Sequence, residues 1–161
     1  MALSFVECVK MLDQSIPEFK LPATSGKLFS TSEFLGKILV LYFYPKDSTP
    51  GCTTEGQQFR ELHPQFLDAN AVVFGISRDS IKSHENFRSN QGFPFDLLSD
   101  SEELACTQFG VIKMKNMYGK QVRGIERSTF VIDSHGVLRR EWRKVKVDGH
   151  AQEVLDFVKT L

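Results

Sequence analysis

Of the three cysteines in this chain, at positions 8, 52 and 106, Cys52 has the surroundings of a reactive thiol. Upstream of it, residues 37–44 (KILVLYFY) form a continuous apolar run of strand length that stops at Pro45. Downstream, Phe59, Leu62, Phe66 and Ala69 recur at helical intervals with polar residues between them. Cys52 therefore lies where a buried strand has ended, a loop carrying Pro50 and Gly51 has turned the chain, and an amphipathic helix begins. The start of a helix carries about half a positive charge and unpaired N–H groups, and both stabilise a thiolate. Gly51 lets the backbone come close to a small oxygen-rich substrate, and the Thr49 hydroxyl, three residues upstream, can donate to one oxygen and accept from another donor. These are parts for holding a peroxide against a nucleophilic sulfur. The competing reading, an inert buried thiol acting as a small apolar side chain, suits an arbitrary cysteine better than one at such a junction.

The elements that must position Cys52 follow from the spacing of apolar residues. The helix after Cys52 is expected to bend near His63, because Pro64 lacks a backbone donor and clashes with the preceding turn. Residues 71–77 (AVVFGIS) read as a second buried strand, and residues 80–91 as a polar helix stopped by Gly92. This strand, helix, strand, helix order implies a parallel sheet with right-handed crossovers. Residues 95–98 suggest a short strand and residues 101–109 a short helix. Residues 128–133 and 137–143 flank the turn-rich Ser134-His135-Gly136 as a hairpin, and Val154, Leu155 and Val158 mark a closing helix over 149–161. Together these describe a thioredoxin-like α/β sandwich, a mixed central sheet flanked by helices, in one domain of 1–161 with residues 1–15 as an N-terminal extension.

The 161 residues suit one core of ordinary size, and 20 Lys+Arg against 20 Asp+Glu leave no net field toward nucleic acid or an anionic membrane. No apolar run reaches the roughly 18 residues of a membrane helix, and charges interrupt any signal core at the N-terminus, so the cytoplasm is the expected compartment. Three widely spaced cysteines fit neither a disulfide framework nor paired zinc ligands. The histidines at 63, 84, 135 and 150 form no metal motif and are expected to be solvated or capping. Lys113 to Lys120 is the one cationic cluster, expected to be a solvated loop near the active site rather than a nucleic-acid patch.

The segment 43–56 (FYPKDSTPGCTTEG) resembles the active-site segment of the peroxiredoxins, in particular the peroxiredoxin Q or bacterioferritin-comigratory branch. The likeness continues through 97–100, 116–120, 124–133 and 147–151, and so covers about residues 16–161. It implies the peroxiredoxin variant of the fold and a thiol peroxidase that reduces hydrogen peroxide and organic hydroperoxides. It further implies that Pro45 shields the thiolate pocket, Thr49 binds the peroxide, Cys52 attacks it, and Arg127 is the pocket arginine, with Glu55 orienting that arginine. A guanidinium suits this role because it cannot deprotonate. The attack leaves Cys52 as a sulfenic acid and needs no metal or organic cofactor.

One position departs from the pattern. Many members of the branch resemble one another in a second cysteine five residues after the first, and here that position is Gln57. The expected cycle is therefore a single-cysteine one, recycled by thioredoxin, glutaredoxin or glutathione, with a disulfide from Cys52 to Cys106 or Cys8 as the alternative. A monomer or weak dimer is the expected assembly. A thiol-disulfide oxidoreductase would need a Cys-x-x-Cys pair, which Cys52-Thr53-Thr54-Glu55 is not. A non-enzymatic redox sensor or chaperone is the remaining competitor.

Overall fold

A computed structural model describes residues 11–161. Its seven-stranded sheet runs in the order β2-β1-β5-β4-β3-β8-β9, where β1 is Lys20–Ala23, β2 Lys27–Ser30, β3 Ile38–Phe43, β4 Ala71–Ser77, β5 Leu97–Ser99, β8 Ser128–Ile132 and β9 Leu138–Trp142. A separate hairpin pairs β6 (Ile112–Met117) with β7 (Lys120–Ile125). Among the described residues there are four α-helices: α1 (Pro50–Asp68), α2 (Ile81–Gln91), α3 (Leu104–Gln108) and α4 (His150–Val158). A short 3-10 turn spans Thr31–Phe34.

The central strand β3 is buried at every residue, as its unbroken apolar run requires, and it pairs parallel with β4 and antiparallel with β8. The parallel β3-β4-β5 unit and the β8-β9 hairpin are the two halves of the expected sandwich. Alternation along β3 divides the core. Leu39, Leu41 and Phe43 join one cluster with Phe109, Phe130 and Cys106, whereas Val40, Tyr42 and Tyr44 join another with Cys52, Phe59, Phe66 and Val154. Helices α1, α2 and α4 supply buried residues to the second cluster and α3 to the first, so the two cysteines occupy opposite faces of the sheet.

The boundaries differ from the sequence expectation in ways that have local causes. The helix expected over 101–109 is confined to Leu104–Gln108, because Asp100 takes the Glu103 N–H on its carbonyl and the Cys106 N–H on its side chain at 2.7 Å, which fixes the entry turn. Gly92 stops α2 in the left-handed conformation (φ 64°), as expected, and Ser80 caps its start by accepting the Ser83 N–H. Pro64 stands inside α1 without ending it. The Lys113 to Lys120 segment is not a loop. It forms most of the β6-β7 hairpin, closed by Tyr118 and Gly119 at φ 53° and 78°, the double positive φ of a tight two-residue turn. The β1-β2 hairpin was not expected at all. Residues 13–16 extend the other edge of the sheet, where the Asp13 N–H donates to the Leu138 carbonyl and the Leu138 N–H to the Gln14 carbonyl.

Candidate active site

Thr49 is the N-cap of α1, Pro50 occupies its first position and Cys52 its third. The Thr53 N–H closes the first turn on the Thr49 carbonyl, so the Gly51 and Cys52 amides have no partner within the helix. Thr49 does not spend its hydroxyl on capping; it donates to the Lys46 carbonyl at 2.7 Å, folding the loop back on itself. Pro45, half-buried, opens this loop directly after β3.

Arg127 arrives from the chain just before β8, the strand beside β3. Its Nη2 donates to Cys52 Sγ at 3.5 Å and its Nη1 to Glu55 Oε1 at 2.6 Å. Gly51 eases this approach, since a Cβ there would crowd Arg127 Nη2 at 3.1 Å and push it back by a few tenths of an ångström. Cys52 is 2% exposed and Glu55 is fully buried. Burial raises Glu55 to about 7, against the pull of the Arg127 charge. Burial also works against the Arg127 charge, but the carboxylate and the cysteine more than offset it and raise its pKa. The guanidinium thus bridges two groups that each gain from a positive neighbour, and it stays charged while either loses or takes a proton.

Four of the five expected site residues are therefore tied into one unit: Cys52, Glu55 and Arg127 by direct contact, and Thr49 through the cap of the same helix turn. Pro45 lies on the same loop. Sequence reasoning missed Lys115, whose ammonium is half-buried and donates to the Ile125 carbonyl. Its pKa is lowered, first by burial and then by the Arg127 charge, while the nearby Cys52 opposes this. The alternation of Lys113, Lys115 and Met117 was the available signal, but the segment had not been read as a strand. Gln57, where a second cysteine was looked for, bonds to Gln91 of α2 at 2.9 Å. Cys106 is fully buried, and its thiol is pushed far up by burial and by Asp100. Cys8 lies outside the described residues.

The histidine expectation needs correction. His63, His84 and His150 are buried, because each ring packs beside an aromatic side chain, and His84 and His150 have polar partners as well. Only His135 is exposed.

Both the sequence and the fold of this chain are matched among known proteins. The model of the AhpC/TSA family matches residues 12–141. The chain belongs to this family. Peroxiredoxin Bcp of Xanthomonas campestris is 53% identical over 151 residues, covering 92% of this chain and 94% of that protein. Among solved structures, X. campestris peroxiredoxin Q superimposes with a TM-score of 0.85 at 54% identity, covering 88% of this chain and 90% of the other. A structure concerned with the alkyl peroxide reduction activity of X. campestris bacterioferritin comigratory protein, with a trapped intermediate and ligand complex, gives 0.84 at 54% identity and the same coverage. This AhpC/TSA chain is a thiol peroxidase of the peroxiredoxin Q branch, with peroxide as its substrate. Among the described residues no helix is long and apolar enough to cross a membrane.

Proposed function

We propose that the Cys52 thiolate attacks one oxygen of hydrogen peroxide or an organic hydroperoxide in line with the O–O bond. The S–O bond forms as O–O breaks, the leaving oxygen takes a proton and departs as water or an alcohol, and Cys52 is left as a sulfenic acid. The observation that carries this reading is the Arg127 Nη2 donor 3.5 Å from Cys52 Sγ, held there by Glu55. A guanidinium so placed holds the thiolate and also meets charge developing on the peroxide. Thr49 binds the peroxide through its hydroxyl, and Pro45 shields the pocket.

An external thiol from thioredoxin, glutaredoxin or glutathione then displaces water from the sulfenic acid, and a second thiol releases Cys52 from the mixed disulfide. Placement supports this over a bond to Cys106, since the two sulfurs belong to clusters on opposite faces of the sheet and Cys106 is fully buried. A disulfide to Cys8 is the alternative cycle. The working form in this proposal is a cytoplasmic monomer or weak dimer. Mass spectrometry after one equivalent of peroxide tests the cycle: a Cys52 sulfenic acid that adds external thiol is expected, and an intramolecular disulfide overturns it. Steady-state peroxide consumption tests the nucleophile, since Cys52→Ser should be inactive; a non-enzymatic sensor would show no turnover even in the unaltered protein.

A further inference from the structure

The loop that carries Thr49 is tied to the body of the protein by a buried polar cluster. Asp47, in that loop, accepts the Tyr44 hydroxyl on Oδ1 at 2.6 Å and the Ser83 hydroxyl on Oδ2 at 2.7 Å. Burial and the nearby carboxylates raise the Tyr44 pKa well above its ordinary value, so its phenol keeps the proton it donates. His84 of α2, fully buried, places Nδ1 2.7 Å from Asp47 Oδ2 and Nε2 2.8 Å from the Leu98 carbonyl. A carbonyl oxygen has no proton to give, so Nε2 must carry one. Both Asp47 oxygens accept hydroxyl hydrogens, as an ionised carboxylate does, and an ionised Asp47 takes its third hydrogen bond from a proton on His84 Nδ1.

The backbone is tied as well. The Asp47 N–H donates to Asp79 Oδ2 at 2.9 Å, an oxygen that also takes the Ser77 hydroxyl at 2.6 Å. Asp47, Asp79 and His84 each bring one polar side-chain atom within 4.8 Å of the other two, yet Asp47 Oδ2, Asp79 Oδ2 and His84 Nδ1 are already engaged by hydrogen bonds, which describes a latch better than a metal site. The residue after Asp47 shows what the latch holds. Ser48 sits at φ 63°, a left-handed conformation that costs a non-glycine residue free energy, and it directly precedes Thr49.

We infer that His84 is a buried imidazolium whose ion pair with Asp47 holds the strained Ser48 turn, and through it Thr49 and the start of α1, in the geometry that receives peroxide. His84 is thus a positioning residue, acting through Asp47 and never touching substrate. The groups facing it are Asp47 and Tyr44 from the loop and β3 end, Asp79 from the turn after β4, Ser83 from its own helix and the Leu98 carbonyl of β5. This inference rests on Cys52 as the peroxide-attacking thiol, so two of its readouts use no peroxide.

Nitrogen NMR of the unaltered protein at neutral pH should show both His84 ring nitrogens protonated; a neutral ring overturns the inference. In His84→Gln, amide exchange at Asp47 and Thr53 should accelerate by about tenfold or more while the α4 amides stay unchanged. Unchanged exchange at Asp47, or equal acceleration in α4, overturns it. The rate constant for the first reaction with peroxide should fall about tenfold in His84→Gln. Ser48→Gly in that background, which removes the backbone strain, should recover part of the loss; no recovery overturns the role of the turn. If Cys52→Ser kept activity, the nucleophile assignment would fail while the NMR and exchange results still decided the latch.

Discussion

Two cysteines with almost the same burial, Cys52 at 2% and Cys106 at 0% exposure, occupy opposite faces of one sheet and differ in nearly everything else. Cys52 stands in the first turn of a helix, just after the loop of residues 45–49, with a guanidinium at 3.5 Å. Cys106 has a short helix, the Asp100 carboxylate as its neighbour, and a thiol that burial and that carboxylate hold firmly protonated. Burial alone thus says little about whether a thiol reacts. The sign of the nearest charge decides, because a desolvated sulfur exchanges its lost water for whatever the fold has placed beside it.

The sharpest way to break this comparison is to exchange the two cysteines for serine in turn. Cys52→Ser should lower peroxide turnover by at least about a thousandfold, while Cys106→Ser should leave it within about twofold. Steady-state peroxide consumption with a thiol reductant measures both, and a large loss in Cys106→Ser would refute the division. Next in size is the charge itself. Arg127→Ala should slow the first reaction with peroxide by about a hundredfold or more, and stopped-flow kinetics alongside urea unfolding should find activity falling more than stability. Equal losses would make the arginine structural. Thr49→Val, which keeps the shape but removes the hydroxyl, should cost about tenfold in the same rate.

The smallest effects concern pH and the stability of the Cys52 face. Glu55 has a folded-state pKa raised from 4.5 to about 7, so its contribution to stability is complete below 4.5 and is lost as pH rises through about 7. His150, across the same cluster, is depressed from 6.5 to about 4, mainly by burial, so its contribution is present above 6.5 and lost as pH falls toward 4. For His150 the full swing is on the order of 3 kcal/mol. Between pH 4.5 and 6.5 the two groups therefore oppose each other. Urea midpoints measured across that window should rise more steeply with pH in Glu55→Gln than in the unaltered protein, and should fall with pH in His150→Gln. Parallel slopes in all three proteins would remove both assignments.

Much of this was legible in the sequence, for reasons that can be named. The strand before Pro45, the helix after Cys52 and the parallel β3-α1-β4 unit follow from the apolar patterns, and Thr49, Cys52 and Glu55 recur at three-residue intervals, each about one turn from the next. Arg127 was found through a family resemblance, since nothing local distinguishes an arginine before a strand from an exposed one. The β6-β7 hairpin was missed because Tyr118 at positive φ is an unusual turn residue and the strands carry lysines where apolar residues were sought. The β1-β2 pair was missed because each strand has four residues and β1 contains Pro22. His84 was misread for a different reason: its partner Asp47 lies 37 residues away, and no pattern within a helix announces a partner on a loop.

Distance along the chain has one more effect. Arg127 follows Cys52 by 75 residues and reaches it only when β8 has paired with β3 in the register that sets Ser128 opposite Phe43. At ordinary rates of synthesis, about 5–20 residues per second, Cys52 is made several seconds before the arginine that comes to lie beside it. A nascent or misfolded copy carries Cys52 as an unassisted thiol, and the completed sheet supplies the cation. On the proposed mechanism the chain therefore gains its full reactivity toward peroxide only when β8 has joined the sheet, and an incomplete copy carries Cys52 as an ordinary, slower thiol.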